Sequence, residues 1–230
     1  MTLKYREFTS TTEEFPSGEL ERWKSGDYGL LQESAASACL KRILVERNKK
    51  RAPKGPSYFF GEAWIVACVR PHVEGIYGSF KWLTAKEWSR SGRAKKSDSW
   101  HLEEYKTLLN KYVPFLDEIQ LAAGKLKVLS IGPSSDKDKR KKLSPSEPDL
   151  WLIDSEERHH FIEAKIHPKD EATKQQVAGL ALISHHFRKH GLSVSTEVLT
   201  LYEQGSKRPS PVIEKKYCDW YKEIRKSVVT

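Results

Sequence analysis

Three ionisable residues, set in a stretch that otherwise reads as a buried hairpin, carry the most chemistry in this chain. In "EPDLWLIDSEERHHFIEAK", residues 147–165, one apolar run opens with Pro148-Asp149 and the next closes with Glu163-Ala164-Lys165. Side chains alternate along a strand, so Phe161, Glu163 and Lys165 share one face while Ile162, Ala164 and Ile166 share the other. The apolar face is expected to take the core and the charged face to line a cleft. A turn centred on Glu156 sets Asp149 directly across from Glu163, where opposed β-carbons lie about 4.5–5.5 Å apart and two carboxylates repel. A divalent cation between them removes the conflict, since hard cations such as magnesium are held by one or two carboxylates together with waters and phosphate oxygens. Lys165, two residues along on the same face, then stands within reach of a water or phosphate oxygen beside that cation. There it either orients an attacking water or neutralises charge building on phosphorus.

The elements that must position these groups follow from periodicity. "HLEEYKTLLNKYVPFLDEI" places Leu102, Tyr105, Leu108, Leu109 and Tyr112 on one helical face, with a break at Pro114. "KLKVLSI", "PDLWLID" and "HHFIEAKI" read as three strands around the turn "SEER", and "DEATKQQVAGLALISHHFRKHG" as a helix closed by Gly191. "LSVSTEVLTLY" is a further strand, and Ser210-Pro211 opens a last helix. The order helix, strand, strand, strand, helix, strand predicts an α/β sandwich around a mixed sheet over residues 101–230. Residues 1–100 are expected to add an α+β region serving substrate recognition or dimerisation: an irregular arm over 1–27, a helix from Tyr28 to Lys50, then strands in "SYFFGEAWIVACV" and "GIYGSFKWL". Residues 62–69 fit a buried helix equally well.

The chain's 230 residues, 38% hydrophobic and 31% charged, suffice for a folded core, and a formal charge of +9 favours a polyanionic partner. No apolar stretch approaches bilayer length and the polar start lacks a signal-peptide core, so a cytoplasmic protein without a membrane partner is expected. Three widely spaced cysteines without a CxxC pair suggest neither a disulfide framework nor a zinc site. His186 and His190 have a spacing that can grip zinc on one helix face, but a solvated surface is the better reading. The segment 88–100, rich in Trp, Lys and Arg, is read as a solvated linker. The run "DKDKRKK", 136–142, is a flexible loop when free and engages a phosphate backbone when bound.

Pro-Asp at the start of one strand, a hairpin, then Glu-x-Lys at the end of the next resembles the PD-(D/E)xK signature of the restriction-endonuclease-like nucleases. Within that superfamily, "SIGPSSDKDKRKKLSPSEPDLWLIDSEERHHFIEAK" followed by "TKQQVAGLALI" is similar to Holliday-junction resolvases and virus-type replication-repair nuclease domains. The likeness covers residues 101 to 205. It implies a restriction-endonuclease-like αβββαβ core and a magnesium-dependent endodeoxyribonuclease, manganese being an alternative cofactor. It implies that Asp149 and Glu163 are metal ligands with the Ala164 carbonyl as a third, that Lys165 is the catalytic lysine, and that Gln176 supports the site, Gln175 being in poorer register. An acid on the helix before the first core strand usually completes the metal shell. Glu104 is the first choice and Glu103 the second; Glu33 and Glu62 are alternatives if the first helix of the chain plays this part. Lys137, Lys139, Arg140, Lys141 and Lys142 form the basic loop that would contact DNA, duplex or branched. Cutting both strands needs two sites, so a homodimer is expected. The alternative is a nucleic-acid-binding or assembly subunit that keeps the fold without the catalysis.

Overall fold

The computed structural model describes residues 6–30, 59–69, 73–78, 83, 107–128 and 141–228. In chain order the elements are β1 (Thr9–Phe15), α1 (Glu19–Lys24), α2 (Phe60–Val69), β2 (Val73–Gly78), α3 (Leu116–Lys125), β3 (Lys127–Val128), β4 (Lys141–Lys142), β5 (Leu150–Asp154), β6 (His159–Ile166), α4 (Lys174–Lys189), β7 (Val194–Glu203) and α5 (Pro211–Val228). Residues 107–112 are helical ahead of α3, and the break between the two pieces falls at 113–115, around Pro114.

The hairpin β5–β6 lies inside a mixed, open five-stranded sheet ordered β1-β7-β6-β5-β2. β5 pairs antiparallel with both β6 and β2, whereas β6–β7 and β7–β1 are parallel. The parallel β6–β7 pair requires a crossover, and α4 supplies it. Helices cover both faces. On one, α2 packs Phe60, Ala63 and Val66 against Leu150, Leu152, Ile162 and Leu199, with Phe15, Leu20 and Trp23 completing the cluster. On the other, α4 and α5 pack Val177, Leu180, Tyr217 and Tyr221 against Trp151, Phe161 and Val198. Each large side chain so enclosed contributes roughly 1.5–3 kcal/mol relative to exposure. β6 is therefore buried on both faces, and the expectation of one core face and one open cleft face fails: the Glu163 face also carries Phe161 into the core.

Two element readings are corrected, and one left open between strand and helix is decided. The arm over 1–27 is not irregular, because "TSTTEEF" forms the edge strand β1, in parallel register with β7 from Thr9↔Glu197 to Phe15↔Glu203. Its polar alternation hid it, yet threonines suit a pleated edge and an edge strand tolerates charge. Residues 60–69 are helix rather than strand; the segment is apolar on nearly every side because it lies between the sheet and its neighbours. The described part of "KLKVLSI", residues 125–128, does not enter the main sheet: Lys127–Val128 is strand, paired with Lys141–Lys142 in a separate ribbon. The place beside β5 is taken by β2. Helix, strand, strand, strand, helix, strand thus runs α2-β2-β5-β6-α4-β7, drawing its first two members from the first hundred residues. Of the predicted Tyr28–Lys50 helix, residues 28–30 are described and are not helical; the rest of it and the segment 88–100 lie outside the described residues.

Candidate functional site

The β5–β6 pairing runs Leu150↔Ile162, Trp151↔Phe161, Leu152↔His160 and Ile153↔His159. One more step along the same register sets Asp149 opposite Glu163, as the sequence predicted. Asp149 Oδ2 accepts a hydrogen bond from the Ala164 backbone N–H at 3.0 Å. That bond clamps the start of β5 to the Glu-x-Lys triplet and leaves the Ala164 carbonyl as the triplet's other backbone group.

The far end of the hairpin is fixed by groups that sequence reading passed over. Asp154 Oδ1 accepts from the backbone N–H of Glu156 and Arg158, while Oδ2 meets Arg158 Nε at 2.8 Å and His160 Nε2 at 3.0 Å. Burial alone would raise the Asp154 carboxyl, but His160, Arg158 and the two backbone donors hold it down at about 2. His160 Nδ1 in turn meets Ser195 Oγ at 2.6 Å. All three residues of this Ser-His-Asp chain are buried, so it serves to fix register and twist at the turn. The signal in the sequence was an Asp followed two and four residues later by turn donors, the pattern of an Asx turn.

At the functional end Glu163 is fully buried and Lys165 is 5% exposed. Glu163 Oε1 accepts from Lys165 Nζ at 2.8 Å and from Gln176 Nε2. Lys165 Nζ also reaches Asp170 Oδ2 at 3.1 Å, a partner that sequence reading missed although it follows β6 by only four residues. Gln176 has two tasks. Its Oε1 accepts from the Thr173 backbone N–H while Thr173 Oγ1 accepts from the Gln176 N–H, forming a capping box that starts α4 and aims the remaining amide group at Glu163. The placement of this glutamine thus follows from the helix start. Gln175 is exposed and its carbonyl accepts from the Ser146 N–H at 3.0 Å, on the segment leading to Pro148-Asp149.

Glu163 Oε2 is buried and meets no hydrogen-bond donor among the described residues. The Asp149 carboxyl lies close enough to the Glu163 carboxyl for the two to repel each other. Burial first, and Asp149 second, push Glu163 well above the usual carboxylate range; burial also raises Asp149, against the pull of Lys165. Burial would draw the Lys165 ammonium down, but Glu163 and Asp149 outweigh it and hold it above its ordinary value. Lys165 is therefore a fixed cation.

A further ionisable group joins from α2. Desolvation, and then repulsion by Asp149, push Glu62 up to about 8, with Lys165 pulling the other way. Glu62 and Asp149 both keep partial exposure. Gly61 lets α2 approach β6: a Cβ there would lie 3.3 Å from Ala164 Cβ. Glu62 ranked behind Glu104 and Glu103 in the sequence because those two lie on the helix that leads into "KLKVLSI", the strand expected to open the core. No family model matches the chain, and the searches of curated proteins and of solved structures return no match. What the arrangement can do rests on the residues themselves.

The structure thus brings Asp149, Glu163, Ala164, Lys165 and Gln176 together, with Glu62 beside them. Glu104, Glu103, Glu33, Lys137, Lys139 and Arg140 lie outside the described residues, as do the side chains of Lys141 and Lys142. Among the described residues no three His, Cys, Asp or Glu side chains are already gathered tightly enough to hold a metal ion. The donor set nonetheless suits a hard divalent cation: all its ligating atoms are oxygen, and one of them, Glu163 Oε2, is buried without a donor. His186 and His190 meet Glu118 at 4.0 and 3.3 Å, and Lys189 Nζ meets it at 2.7 Å. No helix among the described residues is long and apolar enough to cross a membrane.

Proposed function

We propose that this chain is a magnesium-dependent endonuclease that hydrolyses phosphodiester bonds in DNA, on a restriction-endonuclease-like core. The observation that carries the reading is the meeting of Asp149 and Glu163 across the hairpin, beside Lys165 and a Gln176 anchored by its own helix cap. The order α2-β2-β5-β6-α4-β7 supports it, since it is the αβββαβ order that the resemblance implies. Such a concentration of mutually repelling, desolvated carboxyls weakens the fold unless the site uses them.

Asp149, Glu163 and the Ala164 carbonyl would hold the cation, with Glu62 as the acid from the preceding helix. When bound, the cation supplies Lewis-acid polarisation of the phosphate and lowers the pKa of water. The chain's own residues do the remainder. Gln176 and Lys165 occupy one oxygen of Glu163, which leaves the other for a ligand. Lys165, fixed by Glu163 and Asp170, adds positive charge that is already in position when charge develops on phosphorus. The charge balance also favours a cation: two buried carboxyls that repel each other can both ionise once a dication lies between them. Duplex cutting by this reading uses two copies related by a twofold axis, a homodimer on DNA.

Wild type, Asp149→Ala and Lys165→Ala should be compared on plasmid, branched and single-stranded DNA with and without magnesium. Cleavage by wild type that needs the cation, and a loss of about 10²-fold or more in both variants with binding retained, is the expected result. Cleavage that survives Asp149→Ala would end the proposal. The burial of Glu163 and Lys165 favours one alternative, a nucleic-acid-binding subunit that uses the fold for assembly. Under that reading Lys165→Ala leaves function intact.

A further inference from the structure

β6 and β7 are parallel, so the segments that leave them, 167–173 and 204–210, emerge from one edge of the sheet. It is the edge at which Glu163 and Lys165 stand, near the end of β6. The two segments are joined through α5: Tyr217 Oη accepts from the Ala172 N–H at 2.9 Å, and Lys216 Nζ meets Glu171 Oε2 at 2.6 Å. Three acids on this edge have partners, Asp170 with Lys165, Glu171 with Lys216, and Glu203 with the Gly18 N–H at 2.8 Å. The exposed Glu14, near the end of β1, meets no cation among the described residues. The edge's exposed cations Lys169, Lys207 and Arg208 meet no carboxylate among the described residues. Elsewhere Arg22, Lys24, Lys111, Arg158, Lys189 and Arg225 are each held by an acid, while the exposed Lys125, Lys215 and Lys222 also meet no carboxylate among the described residues.

The segment carrying Lys207 and Arg208 is built rather than loose. Ser206 N–H and Oγ both donate to the Glu203 carbonyl, and Gly205, at φ 82, allows the tight turn between them. Pro209 is buried on the other side, and Ser210 begins α5. Two cations are thus held outward on a short anchored loop.

We infer that Lys169, Lys207 and Arg208 form a phosphate-binding rim that holds the backbone of a DNA duplex across the Glu163–Lys165 edge of the sheet. The inference rests on the nuclease reading and supplies a substrate-positioning surface to it, distinct from the basic loop over 137–142. Phosphate contacts of this kind fix register without reading sequence, and removing them lowers affinity in a salt-dependent way.

The test measures binding of the full chain to a fluorescent 20-base-pair duplex in EDTA, from about 50 to 200 mM salt, the range over which phosphate contacts are most evident. Wild type is compared with Lys169→Gln/Lys207→Gln/Arg208→Gln and with a control, Lys215→Gln/Lys222→Gln, which removes exposed cations from the body of α5. The rim variant should bind more weakly, and its log affinity should fall less steeply with log salt, by about 0.9 for each phosphate no longer neutralised and so by roughly 2–3 in all. The control should keep the wild-type slope. A rim variant with the wild-type slope, or a control whose slope falls as much, overturns the rim. Binding is read without cleavage, so a wild type that cuts nothing would remove the nuclease reading and leave this result to stand or fall separately.

Discussion

Adding one methyl group to α4 should disturb the site from outside it. A Cβ built on Gly179 would overlap the Ser146 carbonyl oxygen and come within 2.9 Å of its carbon. Relieving that overlap needs a shift of about 1 Å or more, because well-packed carbon atoms sit roughly 3.5–4 Å apart. The obstructing atoms are backbone, so no side-chain rotation can provide it. Ser146 is also hydrogen-bonded through its N–H to the Gln175 carbonyl and stands three residues before Asp149. In Gly179→Ala, alanine's better helix propensity returns about 1 kcal/mol. Against it stand overpacking, typically 1–3 kcal/mol, and the strained Ser146–Gln175 bond, about 1 kcal/mol. The net expectation is a loss of about 1–3 kcal/mol, or roughly 2–12 °C in Tm at 2–4 °C per kcal/mol. Metal-dependent cleavage should fall further than stability implies, since a 1 Å displacement of a reacting group can cost about 10²-fold. Gly124→Ala is the control: nothing lies within 4 Å of a Cβ there, and helix propensity alone should raise Tm. Urea unfolding and cleavage at matched folded fractions measure both. A Gly179→Ala chain as stable and active as wild type would refute the account of how the segment before Asp149 is held.

Gln176→Leu removes both the capping acceptor and the donor to Glu163; the cap alone should cost about 1 kcal/mol in urea unfolding, and Thr173→Ala should reproduce that cost with a smaller loss of cleavage. Gln176→Glu keeps an acceptor for the Thr173 N–H but adds a third acid beside Glu163, so Tm without divalent cation should drop more than in Thr173→Ala, and magnesium should recover part of the difference. His159 gives an acid-side prediction. Its Nδ1 accepts from Trp151 Nε1 at 3.1 Å and its Nε2 is buried without a partner among the described residues, and burial, then the nearby His160, lower it from 6.5 to about 4. The unfolded chain binds the proton more readily, so stability is full above about pH 6.5 and is lost as pH falls toward 4, by on the order of 3 kcal/mol. Urea midpoints from pH 8 to 4 check this, and His159→Phe should flatten the curve; an unchanged slope would show that the ring is not held neutral.

The hairpin was legible because everything that fixes it is local. Strand-like runs over 150–154 and 159–166, a four-residue turn and a symmetric register place Asp149 against Glu163 with no information from elsewhere in the chain. The same holds for α4, whose Thr173 and Gln176 cap and Gly191 stop are written in sequence. The remaining sheet was not legible, because its edges are chosen by competition. β5 has one free edge, and two segments with strand-like alternation could have taken it, residues 125–131 and 73–78. The sequence favoured the nearer, and the structure seats the farther. That choice decides which helix lies beside the site, and so which acid approaches Asp149. With α2 packed on β6 through Gly61 and Ala164, Glu62 is drawn into the field of Asp149. Neutralising that acid tests the placement: Glu62→Gln should relieve repulsion and raise the metal-free Tm while weakening any cation-dependent rise in Tm, a pair of opposite signs that an acid outside the site would not give. If instead the variant leaves the magnesium-dependent rise in Tm at its wild-type size, the completing acid is not on α2.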